Sequence, residues 1–187
     1  MVHNLGFEFS YERMYLLDVE LESWKRYYLP SKFVPSDDPL ILDAGAGEGE
    51  TVMFYYLLGF RRFRCVESDK LAFKRLSRNV AKLRDAKVHL FNRRFLAHDV
   101  HGVDFAKIDV EGGEVQLIEA DKRKLPTEIV VETHSLAVQK LLLESFKLEH
   151  LMDYNTLNNV RIWRWVNPDN DERTRTRSQV TANSTTQ

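Results

Sequence analysis

The sequence predicts a doubly wound α/β fold, a mostly parallel seven-stranded sheet with helices on both faces and an antiparallel hairpin at the C-terminal end. Three observations lead to this prediction. Short apolar segments alternate with amphipathic segments, which is typical of parallel strands joined by right-handed helical crossovers. A glycine-rich turn follows the first apolar segment. The last two strand candidates are separated by only a few turn-forming residues, as in a hairpin.

The elements follow from hydrophobic periodicity and from turn residues. An amphipathic N-terminal helix is expected over about 11–28, and a proline-containing linker leads from it to the first strand. Alternating apolar and polar residues predict the hairpin at 147–152 and 159–166. The remaining strand candidates are 40–44, 63–67, 87–91, 105–110 and 128–133, and the helix candidates between them are 50–58, 70–84, 114–120 and 136–144.

A chain of 187 residues is long enough for one hydrophobic core. We divide it into a helical extension and candidate lid over 1–38, a Rossmann-like domain over 39–167, and a polar tail over 168–187 that we expect to be disordered. The N-terminus lacks the form of a signal peptide, and the single cysteine cannot form an internal disulfide. These features predict a cytoplasmic protein.

The glycine-rich turn reads D-x-G-x-G-x-G from Asp43 to Gly49. In the dinucleotide-binding fingerprint, the third glycine would fall at position 50, where this chain has Glu50. The acidic residues of the turn would also repel a pyrophosphate. The pattern is instead the one seen in S-adenosylmethionine-dependent methyltransferases, so we expect S-adenosylmethionine as the cofactor. The turn residues expected to bind it are Asp43, Ala44, Gly45, Gly47 and Gly49.

Further carboxylates follow the second, fourth and fifth predicted strands. Glu67 ends the second strand, where an acid can accept hydrogen bonds from both ribose hydroxyls. Because the carboxyl ends of parallel strands share one edge, the acids after the other two strands should lie nearby. There they could take a proton from a substrate hydroxyl. The predicted catalytic residues are Asp109, Glu111, Glu132 and His134, and Asp109 is also expected to contact the cofactor.

Two simpler interpretations apply to parts of this cluster. Glu114 fits a helix N-terminal residue that is favoured by the helix dipole. The acids and His134 could also bind Mg²⁺, because hard cations prefer oxygen ligands. Carboxylates at strand ends are common, however, and we predict no metal site.

These segments together resemble the FkbM family of methyltransferases over about 40–144. The most specific part is the block K-I-D-V-E-G-x-E at 107–114. The resemblance implies S-adenosylmethionine as methyl donor and transfer to a hydroxyl oxygen of a sugar, polyketide or related metabolite. The chain departs from the family at Gly47, where Asn is usual, and at Ser68, where Pro is usual. Ser68 is nevertheless expected at the cofactor, and counting strands places Asn92 against the adenine.

The charge distribution leaves other substrates open. The net charge is −1, but 61–94 carries twelve Lys and Arg residues against three acids. Such a segment can attract phosphates, or it can be the solvated face of the helix at 70–84. We expect a small-molecule or glycan substrate, with nucleic acid and a non-catalytic cofactor-binding module as alternatives. No membrane partner is expected, because no apolar run approaches the length of a bilayer span. The apolar residues expected to pack this helix on the sheet are Leu71, Phe73, Leu76, Val80 and Leu83.

Overall fold

The computed structural model describes residues 6–155 and 159–168. Its seven strands are β1 Leu40–Ala44, β2 Arg62–Glu67, β3 Lys87–Asn92, β4 Phe105–Ile108, β5 Glu128–Thr133, β6 Glu149–Asn155 and β7 Val160–Val166. They form one sheet in the order β3-β2-β1-β4-β5-β7-β6. Strands β1 to β5 are parallel, and β7 runs antiparallel to both β5 and β6. The predicted fold class, including the C-terminal hairpin, is confirmed.

The α-helices are α1 Tyr11–Tyr27, α2 Glu50–Leu57, α3 Lys70–Val80 and α4 Leu136–Ser145. Asp69 caps the N-terminus of helix α3, where its carboxylate accepts hydrogen bonds from two first-turn amides. The helix ends four residues before its predicted end. The predicted helix at 114–120 is a 3₁₀ helix over Gly113–Glu119. Another short 3₁₀ helix, Ala97–Val100, lies in the connection between β3 and β4.

The sheet separates two apolar cores, because successive side chains of a strand point to opposite faces. Ile41 of β1 packs in one core with Leu17 and Trp24 of α1, whereas Leu42 packs in the other. The N-terminal helix therefore shares a core with the central strand. The prediction that Leu71 packs on the sheet is wrong, since this residue is 71% exposed.

The ends of the chain bear on two further expectations. Among the described residues, no helix combines the length and the apolar character that a bilayer span requires. Apart from its first residue, the polar tail predicted over 168–187 lies outside the described residues. The division into extension, central domain and tail stays a prediction.

Candidate active site

A cavity of about 970 Å³ opens at the carboxyl ends of β1, β2, β4 and β5, and α1 forms one of its walls. This is the edge where open α/β sheets bind ligands. The predicted site residues that line the cavity are Gly45, Gly47, Glu67, Ser68, Asp109, Glu111 and Glu132. The other predicted residues do not line it: Asp43, Ala44, Gly49, Asn92 and His134.

The glycine-rich turn is pressed against the loop that follows β4. Gly45 has a φ of +75°, and a Cβ atom at this position would lie 1.6 Å from the carbonyl oxygen of Asp109. Its amide donates a hydrogen bond of 2.9 Å to the carbonyl oxygen of Val66. Gly49 precedes α2 with a φ of +101°, a left-handed conformation that few other residues adopt. The close approach fixes the turn beside Asp109 and leaves its backbone exposed to the cavity.

Glu67 is held at the cavity wall by backbone amides. Its two carboxylate oxygens accept hydrogen bonds from the amides of Gly47, at 2.8 Å, and Asp69, at 2.7 Å. Each carboxylate oxygen has a second lone pair, so the group can still accept hydrogen bonds from a ligand. Asn92 donates its side-chain amide to the carbonyl oxygen of Glu67 at 2.9 Å and so supports the end of β2.

The wall after β3 comes from residues that the sequence analysis missed. Arg93, Arg94, Phe95 and Leu96 line the cavity directly after Asn92. The sequence feature that could have identified them is their position directly after the end of a strand. The adenine contact of Asn92 stays a prediction.

A buried ion pair lies beneath the cavity floor. Asp43 and Lys107 are register partners on β1 and β4, and the Lys107 ammonium lies 3.2 Å from Oδ1 of Asp43. Thr51 donates its hydroxyl to the other Asp43 oxygen. The Lys107 ammonium also donates to the carbonyl oxygen of Gly45 at 3.0 Å and lies 3.5 Å from Oδ2 of Asp109. Asp43 thus acts on the cavity through Lys107, which does line it.

The charge of this lysine is maintained by its neighbours. Burial alone would lower the pKa of Lys107, but Asp43 and Asp109 outweigh burial and raise it. Lys107 was part of the sequence block quoted above, yet it was not predicted as a site residue. The sequence feature that could have identified Lys107 is its position as an ionisable residue within an otherwise apolar strand.

The other three predicted catalytic residues converge on His134. Its Nε2 atom lies 3.5 Å from Oδ1 of Asp109, 3.6 Å from Oε1 of Glu132 and 3.7 Å from Oε2 of Glu111. The other ring nitrogen, Nδ1, contacts Oε1 of Glu114 at 2.6 Å. Burial opposes protonation of His134, but the surrounding carboxylates raise its pKa to about 10. Without another cation, His134 is therefore a charged imidazolium at neutral pH, with a proton on each ring nitrogen.

Glu114 has a larger part in the site than its position near a helix start indicates. Its side chain is fully buried, and it accepts hydrogen bonds from His134 and from the amide of Gly112. Glu114 does lie in the first turn of the 3₁₀ helix, as expected, and its carboxylate also fixes the orientation of the His134 ring. The pairing joins the loop after β4 to the end of β5.

Helix α1 closes the site from the side. The Tyr28 hydroxyl, just after α1, donates a hydrogen bond of 2.7 Å to Oε2 of Glu132. Tyr27 and Tyr154 both donate to the carboxylate of Glu20, which joins α1 to β6. Seven carboxylates and four basic side chains line the cavity, so its charge favours a cationic ligand. Three carboxylates act on the buried ammonium of Lys107: Asp43, Asp109 and Glu132.

Comparisons with solved structures identify the fold. Fibrillarin from Aeropyrum pernix, crystallised with natively bound S-adenosyl-L-methionine, matches with a TM-score of 0.57 at 14% identity, covering 80% of this chain and 74% of fibrillarin. The precorrin-6y C5,15-methyltransferase from Geobacter metallireducens matches with a TM-score of 0.52 at 20% identity, covering 68% and 78%. The tRNA (m1A58) methyltransferase TrmI from Aquifex aeolicus matches with a TM-score of 0.50 at 13% identity, covering 86% and 70%.

These matches show that the chain has the Rossmann-like fold of class I methyltransferases. No family model matches the sequence, and no curated protein matches it. The resemblance to the FkbM family therefore stays a prediction.

Proposed function

We propose that this protein is an S-adenosylmethionine-dependent methyltransferase that acts on a hydroxyl oxygen of a small molecule or glycan. The observation that carries the proposal is a single cavity lined both by the glycine turn with Glu67 and by the carboxylates that follow β4 and β5. Gly47 and Glu67 lie at the ends of β1 and β2, whereas Asp109 and Glu132 lie at the ends of β4 and β5. The fold shared with fibrillarin, which was crystallised with this cofactor, supports the assignment.

The chemistry of the cavity fits this cofactor. Glu67 retains acceptor capacity for two ribose hydroxyls, and the glycine turn offers backbone without Cβ atoms in the way. The excess of carboxylates around Lys107 suits a ligand with a sulfonium and an ammonium group. The same charges would repel a pyrophosphate. A cavity of about 970 Å³ is also large enough for a ligand of this size and part of an acceptor.

When bound, the cofactor supplies an electrophilic methyl group. The residues of this chain would hold the acceptor oxygen in line with that methyl group, and positioning of this kind contributes several kcal/mol to catalysis. The carboxylates of Asp109 and Glu132 are placed to accept the hydroxyl proton. His134 lies beside these two carboxylates, and Glu114 fixes the orientation of its ring. Tyr28 fixes Glu132 from the opposite side.

Calorimetric titration tests the cofactor assignment. We expect saturable binding of S-adenosylmethionine and S-adenosylhomocysteine, and no binding of NAD at the same concentration. Glu67→Gln should weaken binding about ten-fold or more, since a hydrogen bond to a charged group is worth about 1.5–3 kcal/mol. Glu144→Gln, which changes an exposed carboxylate on α4, is the matched control. Absence of binding by the wild type at millimolar cofactor would refute the proposal.

Transfer of a labelled methyl group identifies the acceptor. We expect product with hydroxyl-bearing sugars or metabolites and none with RNA or DNA. Methylation of nitrogen or carbon atoms alone would contradict the O-directed part of the proposal and leave the cofactor assignment intact.

A second candidate function, nucleic-acid methylation, is favoured by a basic groove on the sheet. Basic side chains from β2 and β3 surround a groove of about 350 Å³, and the partly exposed ring of Phe91 lies among them. Aromatic and cationic groups together suit single-stranded nucleic acid. Binding of RNA that falls steeply with salt concentration would favour this candidate, and no binding at low salt would exclude it. The basic residues of the groove are Arg62, Arg64, Lys87 and His89.

A further inference from the structure

We propose that Asp109, Glu132 and His134 form a binding site for a divalent metal ion. One donor atom from each of the three residues lies within 4.8 Å of the others. The three residues come from the ends of two neighbouring strands, β4 and β5, which hydrogen bond to each other. This site goes beyond the proposed methyl transfer, which does not require a metal.

The orientation of His134 is that of a metal ligand. Its Nδ1 atom contacts the fully buried carboxylate of Glu114 at 2.6 Å, and a carboxylate can only accept from an imidazole N–H. This contact fixes the ring and aims Nε2 at the other carboxylates. Histidine ligands commonly donate their second ring nitrogen to a carboxylate in this way. A lone histidine on a protein surface has no need of such a buried partner.

The distances around Nε2 also fit a shared ion. The carboxylate oxygens of Asp109, Glu132 and Glu111 lie 3.5–3.7 Å from Nε2, which is longer than a hydrogen bond. Donor atoms bound to one ion at about 2.1 Å lie roughly 3–4 Å apart. For Asp109, Glu132 and His134, these separations therefore suit ligands of one centre better than direct hydrogen bonds.

Glu132 provides an independent observation. The residue is only 7% exposed, and one of its oxygens accepts the Tyr28 hydroxyl at 2.7 Å. Within the part of the chain that the structure describes, its other oxygen, Oε1, accepts no hydrogen bond and faces Nε2 at 3.6 Å. One oxygen of this carboxylate is therefore free to bind a cation at the site. The three-ligand centre provides the place for one.

The donor set indicates the class of ion. One imidazole with two or three carboxylates suits a first-row ion such as Mn²⁺ better than Mg²⁺ or Ca²⁺, which prefer oxygen alone. The Asp109 side chain is 29% exposed and the Glu111 side chain 85% exposed, so the centre is open to the cavity. If methyl transfer is correct, and this part rests on that proposal, the ion would bind the acceptor hydroxyl and lower its pKa.

Mn²⁺ titration followed by electron paramagnetic resonance tests the site, because bound Mn²⁺ loses the sharp signal of the free ion. We expect one ion per chain, and pulsed measurements on the wild type should detect an imidazole nitrogen at the ion. His134→Gln and Glu132→Gln should each weaken binding at least ten-fold. Glu114→Gln should weaken it about ten-fold by releasing the ring.

The matched control is His150→Gln, which removes an exposed histidine that pairs with Asp153 at 3.1 Å and should leave Mn²⁺ affinity unchanged. Absence of binding at millimolar Mn²⁺, or a bound ion without nitrogen coupling, would overturn the proposal. Equal effects of His134→Gln and His150→Gln would do the same. Calorimetry with S-adenosylmethionine in the presence of a chelator separates the two proposals. Cofactor binding without Mn²⁺ binding refutes only the metal site, and the reverse result refutes only the methyltransferase assignment.

Discussion

Substitution of Gly45 by alanine should be far more damaging than the same substitution at Gly102. The two glycines have nearly equal φ angles, +75° and +70°, so alanine pays a similar left-handed backbone cost of about 1 kcal/mol at each. At Gly102 nothing lies within 4 Å of the added Cβ. At Gly45 the Cβ would lie 1.6 Å from the carbonyl oxygen of Asp109, and real Cβ atoms essentially never approach closer than 3.0 Å. The turn must then move away from β4, which adds about 1–3 kcal/mol.

Thermal unfolding and cofactor titration measure the two costs separately. In a domain of this size 1 kcal/mol shifts Tm by about 2–4 °C, so Gly102→Ala should lower Tm by about that amount. Gly45→Ala should lower it by two to four times as much and should weaken S-adenosylmethionine binding at least about ten-fold, because the turn backbone lines the cavity. Equal Tm shifts, with unchanged cofactor affinity in both variants, would refute the role assigned to the close contact.

Three further substitutions test the charged and polar contacts of the site. Lys107→Met should cost about 3–5 kcal/mol in urea unfolding, since it leaves Asp43 buried without its counterion. Tyr28→Phe should cost about 1–3 kcal/mol by removing the buried donor to Glu132. Asp99 pairs with Arg93, which lines the cavity. Burial of Asp99 opposes its ionisation, but hydrogen bonds from Arg93 and from the amide of Leu96 outweigh burial and lower the pKa of the carboxyl. The stabilisation of the folded state by ionised Asp99 is therefore present at neutral pH, and it is lost as pH falls through the lowered folded-state pKa. Asp99→Asn should cost about 1 kcal/mol at pH 7, and its difference from the wild type should shrink below about pH 4.

The substitutions at Lys107 and Tyr28 each have a control on the surface. Lys74→Met replaces an exposed lysine of α3 and should change the free energy of unfolding by less than about 0.5 kcal/mol. Tyr56→Phe removes an exposed hydroxyl bonded to Asp85 and should have a similarly small effect. A cost at Lys107 or Tyr28 no larger than its control would contradict the assigned burial. A pH-independent difference for Asp99→Asn would contradict the assigned ion pair.

The sequence predicted the fold well because its central strands are continuous apolar segments bounded by turn residues. The convergence of Asp109, Glu132 and His134 was predictable too, since the carboxyl ends of parallel strands meet at one edge. The partner of His134 could not be predicted from the sequence. Its contact with Glu114 depends on how a 3₁₀ helix seats against the end of β5, and no local pattern encodes that distance.

The residues expected to bind the cofactor show the same limit of sequence-based prediction. Asp43 was expected at the cofactor because it lies near the end of β1, and this role stays a prediction. The pleat turns its side chain toward Lys107 on β4. The adenine contact expected of Asn92 stays a prediction, and the structure adds that its side-chain amide donates to the carbonyl oxygen of Glu67. Strand ends can be located from periodicity, whereas the direction of each side chain depends on register with a neighbouring strand.

Asn79 on α3 offers a test of how the N-terminal segment is coupled to the glycine turn. Its fully buried amide donates to the carbonyl oxygens of Glu48, at 2.9 Å, and Glu8, at 3.0 Å, and it accepts from the amide of Glu8 at 2.8 Å. Asn79→Ala removes three hydrogen bonds and leaves backbone groups without partners, so it should cost about 2–4 kcal/mol in urea unfolding. It should also weaken cofactor binding, because Glu48 belongs to the turn. Ser77→Ala, which removes one hydroxyl bonded within the same helix, should cost less than about 1 kcal/mol and leave cofactor affinity unchanged. Equal costs for the two variants would mean that Asn79 does not hold the N-terminal segment and the turn together.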